Sequence, residues 1–203
     1  MKVIFMGTPD FSVGTLEALV EAGHEVVLAV TQPDKPKGRG KEMQFTPVKE
    51  CALKYNIPVF QPRRVREAEC IEELRKYNAD IMVVVAYGKI LPLSILNIPK
   101  YGCINGHASI LPRHRGASPI QWALVCGDKT TGVTTQLMGE GIDTGDILLT
   151  EETAIFEDEN AGQLHDRLSV VTASLMIKTI EGVEKGTITP IKQDDSLANY
   201  API

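Results

Sequence analysis

Hydrophobic positions along the chain fall into short continuous runs separated by amphipathic stretches, the alternation that a wound α/β sheet produces. Residues 3–6, Val-Ile-Phe-Met, read as a buried strand that ends in Gly7-Thr8-Pro9-Asp10. The spacing then predicts a helix with Leu16, Leu19 and Val20 turned inward and Gly23 near its C-terminal cap. Residues 25–31 give a second strand, and 32–42 read as a loop with two prolines, two glycines and four positive charges. Thr46-Pro47 opens the next helix, a capping hydroxyl followed by proline at the first helical position. Beyond an extended piece at Val59-Phe60, residues 67–77 are helical in pattern. Ile-Met-Val-Val-Val-Ala at 81–86 is unbroken, as in a strand covered on both faces.

In the second half, residues 102–109 read as a strand, and Ser118-Pro119 opens a helix carrying Ile120, Leu124 and Val125. Strands at 133–138 and 147–150 flank a glycine-rich bend. Leu164, Leu168, Val171 and Leu175 step by four, three and four, which gives a long helix one buried stripe. A short strand at 187–192 closes the pattern, and no internal repeat is visible.

Composition narrows this α/β picture. The 203 residues allow one large domain, or one domain with a short appendage. A hydrophobic content of 43% with 23% charged residues argues against disorder or a fibrous repeat. The net charge of −5 argues against a domain that grips nucleic acid by bulk positive charge, but leaves room for a small basic patch. Cys51, Cys70, Cys103 and Cys126 are too scattered for a zinc ribbon, so a reduced protein is expected. The apolar start is too short for a secretory signal, and no run approaches the ~20 residues of a membrane span. A soluble, cytoplasmic protein with no membrane partner is the expectation. The turn after the first strand lacks GxGxxG, which disfavours nicotinamide binding, and no GxxxxGK[ST] phosphate loop is present.

Several residues carry candidate chemistry. Asn105 and His107, two apart in a strand, share one face and set an amide donor beside an imidazole. Such a pair serves a developing oxyanion and a proton, or is simply buried and satisfied by backbone partners. The stretch 139–146, Gly-Glu-Gly-Ile-Asp-Thr-Gly-Asp, brings three carboxylates among its glycines. One of them could orient an imidazole; an ordinary turn with solvated acids is the other reading, and a metal site is weak. Residues 112–116, Pro-Arg-His-Arg-Gly, either bind an anion or form a solvated connection, the latter being preferred. Trp122 reads as core. Lys35, Lys37, Arg39 and Lys41 form a solvated basic loop or a contact for a polyanion.

Three strings then carry a resemblance. Asn105-Gly106-His107-Ala108-Ser109-Ile110-Leu111-Pro112, Arg115-Gly116-Ala117-Ser118-Pro119-Ile120-Gln121-Trp122 and Gly141-Ile142-Asp143-Thr144-Gly145-Asp146 closely resemble the folate-dependent formyltransferases. The likeness extends through 7–11, 35–41 and 85–92 and so covers essentially the whole chain. It implies a Rossmann-like fold, a mostly parallel wound sheet with helices on both faces. It also implies an enzyme that takes a formyl group from 10-formyltetrahydrofolate, with no metal. The Arg39 loop looks most like the branch that formylates methionyl-tRNA; formylation of an amino-sugar nucleotide or of glycinamide ribonucleotide, or a non-catalytic folate-binding module, are the alternatives.

By that resemblance Asn105 would donate to the formyl oxyanion, His107 would move a proton, and Asp143 would hold His107. Leu91, Ser109, Ile110, Leu111 and Pro112 would bind the folate, and Lys37, Arg39 and Lys41 the tRNA. The family usually has a larger apolar residue where Gly106 stands, and glycine weakens a strand interior, so a looser Asn105–His107 geometry is expected. The catalytic domain is expected over 1–190, with 191–203 the start of a linker toward a further domain, in a monomer.

Overall fold

A computed structural model describes residues 1–40 and 42–203. It divides into two compact units, Met1–Cys103 and Ile104–Ile203. The α/β expectation holds.

The first unit is built on parallel strands. β1 (Lys2–Gly7) lies between β2 (Glu25–Val30) and β6 (Ile81–Val85), and β5 (Val59–Phe60) pairs on the far side of β2, all parallel. A strand covered on both faces favours apolar side chains throughout, and Val3, Ile4 and Phe5 are fully buried, as are Ile81, Met82 and Val83. α1 (Asp10–Glu21) follows β1 directly and buries Phe11, Leu16 and Leu19, whereas Val20 is only half-buried. The turn requires Gly7, since a side chain there would meet Ser12 Cβ at 2.7 Å and the Val85 carbonyl at 2.8 Å. α2 (Pro47–Lys54) starts as the sequence predicts, with Thr46 Oγ1 accepting from the Lys49 N–H at 3.1 Å. α3 (Ala68–Arg75) and a short α4 (Leu93–Leu96), the latter not predicted, complete the unit.

Residues 32–42, expected as loop, contain instead a short hairpin of β3 (Lys35–Lys37) and β4 (Glu42–Gln44). Lys37 stands opposite Glu42, a cross-strand charge pair, and Gly38 supplies the positive φ of the turn. The base is clamped. Asp34 accepts from Lys49 Nζ at 2.6 Å and Gln61 Nε2 at 2.7 Å, which hold its carboxyl below the usual carboxylate range.

In the second unit β7 (Cys103–His107), β8 (Thr130–Leu137) and β9 (Asp146–Ala154) pair antiparallel. α5 (Pro119–Val125) buries Ile120 and Ala123 and leaves Val125 exposed. Trp122, expected in the core, is half-buried and donates its indole N–H to the Pro202 carbonyl at 2.8 Å. α6 (Ala161–Lys185) packs on β8 and β9 through Leu164, Leu168, Leu175 and Met176. Its stripe is completed by Thr172 and Thr179 where Val171 was expected, because each threonine hydroxyl turns back onto a carbonyl of its own helix. The strand expected at 187–192 reduces to one bridge, Ile191 with Ile147. Residues 191–203 lie against the unit, with Arg115 bridging Tyr200 and Ala201 fully buried.

The N-terminus of α6 has a full capping box, Asn160 with Gln163, and Arg167 grips Glu159 with two bonds of 2.6 and 2.8 Å. Arg167 holds the Glu159 carboxyl below its ordinary value of 4.5. A depressed carboxylate contributes stability that is full above the unfolded value and lost as the pH falls through the folded one. Arg167→Gln should therefore lower the melting temperature at pH 7, and the gap to the parent should narrow in melts at pH 3. The residual gap reports the lost bonds to Thr153 Oγ1 and the Ala154 carbonyl. A gap independent of pH would rule out the ion pair as its cause. Among the described residues no helix is long and apolar enough to cross a membrane, and all four cysteines are free.

Candidate active site

β7 presents Asn105 and His107 on one face, as their spacing requires. On β8, Gln136 stands opposite Asn105 and Thr134 opposite His107, and the ladder runs unbroken through Gly106. The glycine therefore has not opened the strand that carries the pair.

Gln136 links the cluster. This amide is 2% exposed, and every buried polar atom needs a partner. Its Nε2 donates to Asn105 Oδ1 at 3.1 Å and to Asp143 Oδ1 at 3.0 Å, while its Oε1 accepts the Gly145 N–H at 3.0 Å. Because the Asn105 oxygen faces Gln136, the Nδ2 end of Asn105 is turned the other way. That end is the one an oxyanion needs.

Asp143 is no solvated turn acid. It holds φ of 51°, in the left-handed region that aspartate enters more readily than most side chains. Its Oδ2 accepts the Gly116 N–H at 2.8 Å and lies 3.7 Å from His107 Nδ1. Gly145 closes the loop so tightly that a side chain there would overlap the Leu137 carbonyl. Glu140 is exposed and Asp146 begins β9, so the three acids of the loop do not converge. Among the described residues no His, Cys, Asp and Glu group is placed to hold a metal ion.

His107 is buried, and its Nε2 lies 2.8 Å from the His114 carbonyl. A carbonyl oxygen only accepts, so the ring carries its proton on Nε2 and offers Nδ1 to a second one, beside the Asp143 carboxylate. The separation of 3.7 Å is longer than a formed hydrogen bond but within ion-pair reach of the protonated ring. The cluster thus joins an amide donor, a proton acceptor and a carboxylate that stabilises the imidazolium. Such a set can serve addition to a carbonyl carbon followed by expulsion of a nitrogen.

The basic stretch 112–116, preferred as a solvated connection, is one only at Arg113. His114 and Arg115 are each 3% exposed. His114 Nε2 meets Asp128 Oδ2 at 2.7 Å and its N–H donates to Asn199 Oδ1 at 2.6 Å. Arg115 bonds Gln193 Oε1 and Asp195 Oδ1. The physical reason is that Asp128 meets the His114 ring while Gln193 and Asp195 accept from Arg115, so neither side chain needs water.

The structure brings Asn105, His107 and Asp143 together. Ser109 and Leu111 lie in the turn after β7, where the Ser109 hydroxyl donates to the Arg113 carbonyl at 2.6 Å and the Leu111 N–H to Thr134 Oγ1 at 3.1 Å. Ile110 and Pro112 are half-buried in that turn. Leu91 is buried in the first unit, and Lys37 and Arg39 are exposed on its hairpin; Lys41 lies outside the described residues. Sequence reasoning missed Gln136 and Gln193, and took His114 only as part of the basic stretch. Gln136 alone left a signal, a long polar amide inside an otherwise inward-facing strand.

Residues 1–180 match the model of a family described as formyl transferase. The chain is 60% identical over 200 residues to a methionyl-tRNA formyltransferase of Lachnospira eligens, covering 98% of the chain and 64% of that protein. It is 53% identical over 203 residues to the protein of that name from Alkaliphilus oremlandii, covering 100% of the chain and 66% of the relative. The chain therefore spans a little under two thirds of the length of these relatives. Among solved structures, a phosphoribosylglycinamide formyltransferase from Bacillus halodurans superposes with a TM-score of 0.75 at 23% identity, over 90% of this chain and 95% of that one. That likeness establishes the Rossmann-like fold. With the family match running through Asn105, His107 and Asp143, the chain belongs to the formyl transferase family.

Proposed function

We propose that this chain carries the catalytic part of an enzyme that moves a formyl group from 10-formyltetrahydrofolate to the α-amino group of methionyl-tRNA. The observation that carries the reading is that one buried amide, Gln136, joins Asn105 to Asp143, whose carboxylate lies 3.7 Å from His107. The names of relatives at 53 and 60% identity support methionyl-tRNA as the acceptor. The protein acts in the cytoplasm as a monomer in this reading, and the reacting side chains lie within residues 1–190.

A free α-amine titrates near ~8, so a fair fraction is neutral and nucleophilic at cellular pH. Its lone pair attacks the formyl carbon, a C–N bond forms, and the carbonyl electrons move onto oxygen. Asn105 Nδ2 donates to that oxyanion, a contact typically worth ~10²–10³ in rate. His107 Nδ1 takes the proton from the attacking nitrogen while Asp143 faces the imidazolium. As the intermediate collapses, the bond from carbon to the folate N10 breaks and that nitrogen receives the proton. Tetrahydrofolate and the formylated aminoacyl-tRNA leave. The segment Ser109, Ile110, Leu111 and Pro112 binds the folate in this reading.

The test offers 10-formyltetrahydrofolate with methionyl-tRNA, glycinamide ribonucleotide or an amino-sugar nucleotide and follows release of tetrahydrofolate. Transfer to methionyl-tRNA is expected; transfer only to a small acceptor would replace the reading. The exposed Lys37 and Arg39 on the clamped hairpin are assigned to tRNA phosphates, with Lys41. Arg39→Ala should raise KM for methionyl-tRNA about tenfold, the scale of one charge-assisted contact, and leave tetrahydrofolate affinity unchanged. An unchanged KM would return the hairpin to solvent.

A further inference from the structure

The stretch 191–203, outside the family match, reaches the catalytic loop through one side chain. Ile191 and Ile147 exchange backbone hydrogen bonds of 2.7 and 2.9 Å, an antiparallel register that sets Gln193 beside Gly145. Gln193 is 6% exposed and its amide is fully used. Nε2 donates to the Asp143 carbonyl at 2.9 Å and to the Gly145 carbonyl at 2.7 Å, bracketing Thr144. Oε1 accepts from Arg115 Nε at 3.2 Å and Nη2 at 2.9 Å. The next residue, Gly116, donates its N–H to the Asp143 carboxylate.

Asp143 is thus held at both levels. Gln136 and Gly116 hold the carboxylate, and Gln193 holds the main chain in its left-handed conformation. If the main chain relaxes, Oδ2 moves relative to His107 Nδ1, and a displacement of about 1 Å can cost ~10²-fold in rate.

We propose that Gln193 is a positioning residue for the reaction, setting Asp143 against His107, and that 191–203 belongs to the catalytic unit. The proposal rests on the reading of Asn105, His107 and Asp143 as the catalytic group. The test uses Gln193→Met, which keeps the bulk and removes both donors, with Leu175→Ala as a control for destabilisation far from the loop. Two properties are read: kcat for methionyl-tRNA formylation, and the ring-nitrogen NMR resonances of His107, assigned by their loss in His107→Gln.

Gln193→Met should lower kcat roughly 10–100-fold, leave KM for methionyl-tRNA unchanged, and shift the His107 Nδ1 resonance. Leu175→Ala should lower the melting temperature at least as much and move neither property. Gln193→Met with parental kcat and resonance would overturn the proposal, and so would a Leu175→Ala protein that reproduces both changes. Turnover retained in His107→Ala would remove the underlying reading and the proposal with it.

Discussion

Replacing His107 with alanine is expected to lower kcat for formyl transfer by about 10³-fold, within the usual range for loss of a positioned acid–base group. The residue is asked to hold a proton for the lifetime of the tetrahedral intermediate, and Nδ1 is the atom the fold leaves for it. Its Nε2–H is committed to the His114 carbonyl, and the Asp143 carboxylate waits 3.7 Å from Nδ1. Alanine also leaves the His114 carbonyl without its donor, at about 1–2 kcal/mol of stability. Rate and stability can be separated with His107→Gln, whose amide can donate to that carbonyl but cannot carry the proton. The glutamine variant should recover the melting temperature and stay inactive, with tetrahydrofolate binding retained in both. Parental kcat in either variant would end the assignment.

The parallel part of the fold was legible because a strand covered on both faces must be apolar throughout. That is why residues 3–6 and 81–86 stand out, and they became the paired β1 and β6. The two-residue spacing of Asn105 and His107 was legible for the same geometric reason. The β3–β4 hairpin was not, since Lys35–Lys37 and Glu42–Gln44 are exposed and carry no apolar alternation; their pairing comes from the turn and a facing charge pair. The burial of His114 and Arg115 was hidden for another reason. Polar side chains enter the interior only when a partner satisfies them, and those partners, Asp128, Gln193 and Asp195, lie 14 to 80 positions away.

The same limit applies to the site. Asn105, His107 and Asp143 could be named because their strings resemble a family, yet nothing in their spacing says how Asp143 is held. Its left-handed backbone, the Gly116 N–H and the Gln193 amide are tertiary facts. The stretch 191–203 carried no periodic pattern and read as linker, while its backbone and side chains anchor 114–118 and the Asp143 loop. Reading function from the family strings alone would leave out the parts that fix the geometry.

Gln136→Leu should be the most damaging substitution outside the three reacting side chains. Leucine is close to glutamine in volume and enters the face that carries Asn105 and Asp143, so the loss is mainly one of polar partners. Three groups lose theirs at once: Asn105 Oδ1, Asp143 Oδ1 and the Gly145 N–H. Asn105 and Asp143 are partly exposed and can recruit water, whereas Gly145 is buried, so the sum should be nearer ~3 kcal/mol than the full penalty for three orphaned groups. For a chain of this size that is a fall of roughly 6–12 °C in melting temperature. The rate should drop as well, by ~10²-fold, because the Asn105 amide is no longer oriented and can turn its oxygen toward the developing oxyanion. Gln136→Glu separates the two effects. It retains an oxygen for the Gly145 N–H but sets a second carboxylate against Asp143, and like charges raise the pKa of the pair. A group titrating above its unfolded value contributes stability that is present at low pH and lost as the pH rises, so this variant should melt closer to the parent at pH 5 than at pH 8. A Gln136→Leu protein with parental kcat would show that Asn105 needs no such clamp.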